Sequence, residues 1–180
     1  MGGYHSNQRW ASTVAAASEP GAGADIPRPE RRVLIAVDGS KGAQRAFDYW
    51  SSIPGSQSDS IILLHSVEAP NVLTGLLLSP SGTFDYEEYE KQGRQLKQRS
   101  QQLSQELMAQ CEKRRLHCKF VSEAGTPGAT IVEAARKYAA NVVVVGCRGN
   151  NGIRRTILGS VSDYVLQHSC RPVVVVPEIN

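Results

Sequence analysis

The stretch Arg32-Val33-Leu34-Ile35-Ala36-Val37-Asp38-Gly39-Ser40 decides the fold. Its apolar run is continuous rather than alternating, as in a strand covered by helices on both faces. Asp38-Gly39-Ser40 supplies a turn, and Ser40 is placed to cap a helix over Lys41 to Ser51 whose apolar face carries Ala43, Ala46, Phe47 and Trp50. Pro54-Gly55 closes this first strand-helix unit. A covered strand followed by an amphipathic helix is the opening of a βαβ repeat, which commits the sheet to parallel pairing.

The alternation continues downstream. Ile61 to Val67 reads as the second strand, and a loop over Ala69 to Thr83 holds Pro70, Gly75, Pro80 and Gly82. A long helix is expected from Phe84 to Arg115, with acids near its start and Lys113, Arg114 and Arg115 at its end, as the helix dipole favours. Its apolar stripe of Leu96, Leu103, Leu107 and Cys111 is narrow, so one side faces the sheet. His117 to Ser122 is the third strand, Pro127 to Ala139 the third helix and Asn141 to Val145 the fourth strand. Ser160 to His168 reads as the fourth helix and Arg171 to Val176 as the last strand, where flanking Pro172 and Pro177 favour a sheet edge. Five strands and four helices over residues 32–177 make one α/β domain: an open five-stranded parallel sheet with helices on both faces, Rossmann-like.

Residues 1–30 are rich in Ala, Gly, Ser and Pro without an apolar period, and they read as a disordered tail ahead of a domain spanning 31–180. The tail has no apolar signal segment, although Met1-Gly2-Gly3-Tyr4-His5-Ser6 fits the myristoylation pattern with Gly2 as acceptor. Unless Gly2 is acylated no membrane association is expected, because runs such as Ile61 to Leu64 fall far short of the roughly 18 residues of a span. In 180 residues, 20 Lys and Arg against 17 Asp and Glu leave a net charge of only +3, which does not mark a nucleic-acid binder. The four cysteines (Cys111, Cys118, Cys147, Cys170) include no Cys-x-x-Cys pair, so reduced thiols in a cytoplasmic setting are expected.

Chemistry concentrates where the fourth strand leads into the fourth helix, Gly146-Cys147-Arg148-Gly149 through Gly159-Ser160-Val161-Ser162. Open α/β sheets bind ligands at such strand ends. Glycines let the backbone approach a ligand, the helix start adds a positive dipole end, and two serines add hydroxyls, so the segment suits phosphate oxygens. The bland alternative is a glycine-rich connector. Neither G-x-G-x-x-G nor the P-loop pattern is present, since Gly39-Ser40-Lys41-Gly42 has its glycines and lysine at other intervals.

The spacing of Gly146, Gly149, Gly159 and Ser160 (Gly, two residues, Gly, nine residues, Gly, Ser) resembles that of ATP-binding members of the universal stress protein family. Ile35 to Ser40, Leu64-His65-Ser66-Val67 and Arg171 to Pro177 extend the resemblance over nearly all of residues 32–177. The resemblance implies a strand order of 3-2-1-4-5, adenine against backbone near Ala36, Val37 and Val67, and Asp38 beside the ribose and phosphates. It implies that Gly146, Arg148, Gly149, Gly159, Ser160, Val161 and Ser162 wrap the triphosphate of ATP, with Mg²⁺ as the bridging cation. It also implies a homodimer, for which the apolar last strand is a natural pairing edge.

Other residues carry two readings each. Cys147 stands where the family commonly has Ser; it is either a tolerated small side chain or a redox-sensitive thiol beside Arg148. Asp38 could instead satisfy its own turn, and Arg154 and Arg155 either neutralise phosphate or are merely solvated. His65 reads as a hydrogen-bonded structural histidine, while His117 and His168 lack partners at metal-ligand spacing. No positioned base or carboxylate cluster suggests rapid hydrolysis, so the expected output is nucleotide-dependent conformation in stress response or signalling. The alternatives are an interaction module without nucleotide and an adenylate-transferring or ATP-pyrophosphatase enzyme, whose Ser-Gly-Gly-x-Asp-Ser turn is absent after the first strand.

Overall fold

The computed structural model describes residues 31–68, 86–147 and 158–178. The expected tail, the Ala69 to Thr83 loop and residues 148–157, including Arg148 and Gly149, lie outside them. In chain order the elements are β1 (Arg32–Ala36), α1 (Lys41–Ser52), β2 (Ser60–Val67), α2 (Tyr86–Lys113), β3 (His117–Ala124), α3 (Pro127–Lys137), β4 (Val142–Gly146), α4 (Ser160–His168) and β5 (Val173–Val176). A short 3-10 turn at Ser56–Ser58 precedes β2. The strands pair in parallel in the order β3-β2-β1-β4-β5. The expected fold class and strand order are those observed, with β5 at an edge.

The continuous apolar character of β1 follows from its central place. Val33 and Ile35 pack into one layer with Phe47 and Trp50 of α1 and Leu107 of α2, whereas Leu34 faces Ile131 and Ala135 of α3 and Val165 of α4. Each Val, Leu, Ile or Phe side chain among them, taken fully out of water, contributes about 2 kcal/mol. Ser40 caps α1 as expected: its hydroxyl accepts from the Ala43 N–H at 3.2 Å. The domain's first described residue is pinned too, because Arg31 donates to both carboxylate oxygens of buried Asp59 at 2.8 Å and lies over the Trp50 ring. That bonding raises the Arg31 pKa above its ordinary value.

Two helices end two residues before the expected bounds at Arg115 and Ala139. At the end of α2 Arg115 has φ 56°, the Leu116 N–H donates to the Cys111 carbonyl at 2.9 Å and the Arg115 N–H to that of Glu112 at 3.0 Å. This is a Schellman end, repeated after α3 with Ala139 (φ 50°) at the left-handed position. Both stops were hidden from a search for glycine, since Arg and Ala occupy the position glycine favours. Ala139→Gly removes a left-handed penalty of roughly 1–2 kcal/mol but adds unfolded-state entropy of roughly 0.4–1. A net gain of about 0.5 kcal/mol is expected in urea unfolding.

The expectation of four reduced thiols is corrected. Cys111 and Cys118 form a disulfide, while Cys147 and Cys170 are not disulfide-bonded. Cys111 lies in the last turn of α2, and the Schellman reversal carries the chain straight into β3, whose second residue is Cys118. The turn leaves their Cα atoms 6.3 Å apart with both side chains in the same apolar layer, within the reach of a disulfide. A separation of seven residues meant nothing without that reversal.

Candidate functional site

β1 ends in the turn Asp38-Gly39-Ser40, where Gly39 takes the left-handed φ of 78°. The Ser40 N–H donates to Asp38 Oδ1 at 2.9 Å, an Asx turn that aims the chain into α1. The first turn of α1 then lies directly on the end of β4. A Cβ on Gly42 would meet the Cys147 carbonyl oxygen at 3.0 Å, and one on Gly146 would overlap the Gly42 carbonyl. Two glycines on separate elements therefore let helix and strand backbones touch.

Across the opening stands the N-terminus of α4. Gly159 is its N-cap residue in extended conformation, and the Asp163 N–H donates to the Gly159 carbonyl at 2.9 Å. Helix geometry leaves the preceding N–H groups of Ser160, Val161 and Ser162 without intrahelical acceptors. The buried Ser162 hydroxyl donates to the Gly159 carbonyl at 2.9 Å, while Ser160 is exposed.

Between these parts lies a cleft of about 690 Å³, counting the space at its open mouth. It is lined by Ala36, Val37, Asp38, Gly146, Gly159, Ser160, Val161 and Ser162 from the expected set. It is also lined by Ser40, Gly42, Ala43, Leu64, Ser66, Pro127, Ile131 and Val145, none of them among the expected site residues. Val67 does not line it; its carbonyl accepts from the Gly125 N–H at 3.1 Å, and Ser66 one residue earlier faces the space instead. Leu64, Ile131, Val145 and Val161 make part of the lining apolar, whereas Ser40, Ser66, Ser160 and Ser162 with the N–H groups of the α4 terminus make part of it polar. Among the described lining residues Asp38 is the one charged side chain.

Neighbouring groups support this frame. Arg45 Nη2 donates to the Cys147 carbonyl at 3.2 Å and Nη1 pairs with Glu178 at 3.5 Å, tying α1 to the chain leaving β4 and β5. His65 Nδ1 lies 2.9 Å from the Val37 carbonyl, in keeping with a structural histidine. His168 contacts the Tyr164 carbonyl at 2.8 Å and stacks on the Tyr164 ring.

Comparison with known proteins agrees with this architecture. The model of the universal stress protein family matches residues 30–177. Universal stress protein YxiE of Bacillus subtilis is 28% identical over 151 residues, covering 81% of this chain and 97% of its own. The structure of protein MJ0577 from Methanocaldococcus jannaschii superposes with a TM-score of 0.65 at 20% identity, over 83% of this chain and 97% of that one. A family protein from Arabidopsis thaliana, solved with AMP bound, gives 0.61 at 22% identity over 83% and 92% of the respective chains. With the family model spanning the whole sheet, this chain belongs to the universal stress protein family.

Proposed function

We propose that the protein binds ATP with Mg²⁺ on its phosphates, and acts in stress response or signalling through nucleotide-dependent conformation. The observation that carries this reading is the placement of the α4 N-terminus opposite the β1–α1 turn, across one cleft at the C-terminal ends of β1 and β4. The apolar lining of Leu64, Ile131 and Val145 suits a purine, and the polar lining suits phosphate. The AMP held by the Arabidopsis relative supports an adenine nucleotide as the ligand class.

In this reading adenine lies by Ala36 and Val37, with Ser66 facing the space where the family resemblance had placed Val67, and Asp38 lies beside the ribose and phosphates. Gly146, Arg148, Gly149, Gly159, Ser160, Val161 and Ser162 hold the phosphate chain. Mg²⁺ supplies charge neutralisation, which matters where the described lining offers a carboxylate and no base. Hydrolysis is at most slow, since among the described lining residues Asp38 is the one carboxylate and no histidine is present to activate a water. The protein works in the cytoplasm as a homodimer through β5, whose Val173, Val174 and Val175 are only half-buried in the single chain.

Filling the cleft tests the proposal. Ala36→Leu places extra methyl groups in the base wall without cutting a hydrogen bond, so calorimetry is expected to find ATP affinity at least about tenfold weaker than in the parent protein. Equal affinity in parent and variant would remove ATP from this cleft.

A further inference from the structure

We propose that Cys111 and Cys118 form a reversible dithiol–disulfide site whose redox state sets the nucleotide affinity of the cleft; the idea rests on the nucleotide reading above. The site differs from a structural staple in where it sits. It clasps the last turn of α2 to β3, and α2 bears on the cleft by two routes.

First, Leu103, two turns before Cys111, lies with its Cδ1 3.9 Å from where a Cβ of Gly39 would stand. Gly39 holds its left-handed conformation between Asp38 and Ser40, both of which line the cleft. Second, the end of α2 grips α1: Gln44 Nε2 donates to Gln110 Oε1 at 3.0 Å, and Arg114 Nη2 pairs with Asp48 Oδ1 at 2.6 Å. α1 in turn brings Gly42 and Ala43 to the cleft. A clasp that seats the end of α2 thereby seats both the turn and the helix beneath the ligand.

The partial exposure of Cys118 gives an external thiol access to the bond. Cys111 is buried and Cys118 half-buried, so an incoming thiolate reaches the Cys118 sulfur first. A thiolate of a small dithiol attacks Cys118 Sγ, forms a mixed disulfide and expels Cys111 as a thiolate that takes a proton from solvent. The reductant's second thiolate then displaces Cys118, whose sulfur is protonated in turn, leaving two protein thiols and one cyclic disulfide. Two electrons pass from the dithiol to the protein, and an external disulfide reverses the sequence. Released into its apolar layer, Cys111 behaves as a small hydrophobe, so the domain stays folded while α2 loses its covalent seat. In the cytoplasmic setting proposed above, disulfides are usually transient and redox-sensing.

The test titrates Mg-ATP into the full-length protein by calorimetry, once after reduction with dithiothreitol and once after oxidation with glutathione disulfide. Peptide mass mapping follows the Cys111–Cys118 link in each sample. The oxidised protein is expected to carry the link and to bind ATP about fivefold more tightly than the reduced protein. By reciprocity, saturating ATP should raise the dithiothreitol concentration needed for half-reduction by the same factor. Cys118→Ser retains Cys147 and Cys170 and should show a single affinity, that of the reduced protein, under both conditions. Absence of the link, or equal affinity in linked and reduced wild-type protein, would overturn the coupling while leaving nucleotide binding intact. Absence of ATP binding in both states would overturn the nucleotide reading and the coupling with it.

Discussion

Gly146→Ala is expected to lower stability by about 3 kcal/mol, seen as a thermal midpoint roughly 10 °C below that of the parent protein. The added methyl would overlap the Gly42 carbonyl and come within 2.9 Å of the Ala43 nitrogen. These are backbone atoms of the capped first turn of α1, and they cannot rotate aside as a long side chain can. Relief requires lifting the helix off β4, which would also pull Ser40, Gly42 and Ala43 away from the cleft. The family resemblance assigns Gly146 to the phosphates, whereas the close approach gives it a second duty without any ligand. The measurement separates the two: a ligand-only role predicts an unchanged midpoint in nucleotide-free protein and a loss confined to affinity.

Asp59→Ala is expected to cost about 2 kcal/mol in urea unfolding, with the indole of Trp50 as the main cause. Asp59 accepts from Trp50 Nε1 at 3.0 Å and from two nitrogens of Arg31. The Arg31 side chain is 44% exposed and returns to water at little cost once its partner is gone. Trp50 is 5% exposed, so its N–H would be left buried without this acceptor. Asp59→Asn keeps an oxygen for the indole and should cost about half as much. If the Asn variant lost as much as the Ala variant, the charge on Asp59 rather than the indole bond would govern the site.

The elements legible in the sequence are those whose cause is local. The covered strand β1, the cap at Ser40, the proline start of α3 and the edge strand β5 each follow from residues within a few positions of one another. Helix ends at Arg115 and Ala139 were not legible, because the left-handed position of each Schellman end is held by a residue that does not prefer it rather than by glycine. The disulfide was hidden for the same reason, since it depends on the first of those reversals.

The candidate site divides along the same line. The glycine and serine spacing located one part of the lining, Gly146 with Gly159 to Ser162, because these residues lie on consecutive elements of the chain. Leu64, Ser66, Pro127 and Ile131 join the lining only because the sheet order places β2 and the start of α3 beside β1 and β4. Nothing in their own spacing separates them from ordinary core residues. Asp38 carried two readings, and its bond to the Ser40 N–H establishes the turn role whatever else it contacts.

The central claim is that an adenine nucleotide occupies the cleft between the β1–α1 turn and the start of α4. An amide NMR titration of the full-length protein with Mg-ATP tests it most directly. Saturable shifts at Val37, Asp38, Ser40, Ser160, Val161 and Ser162, with Lys119 and Tyr138 at the far edge unchanged, are the predicted result. Saturable shifts confined to other surfaces, or none at millimolar nucleotide, would contradict it.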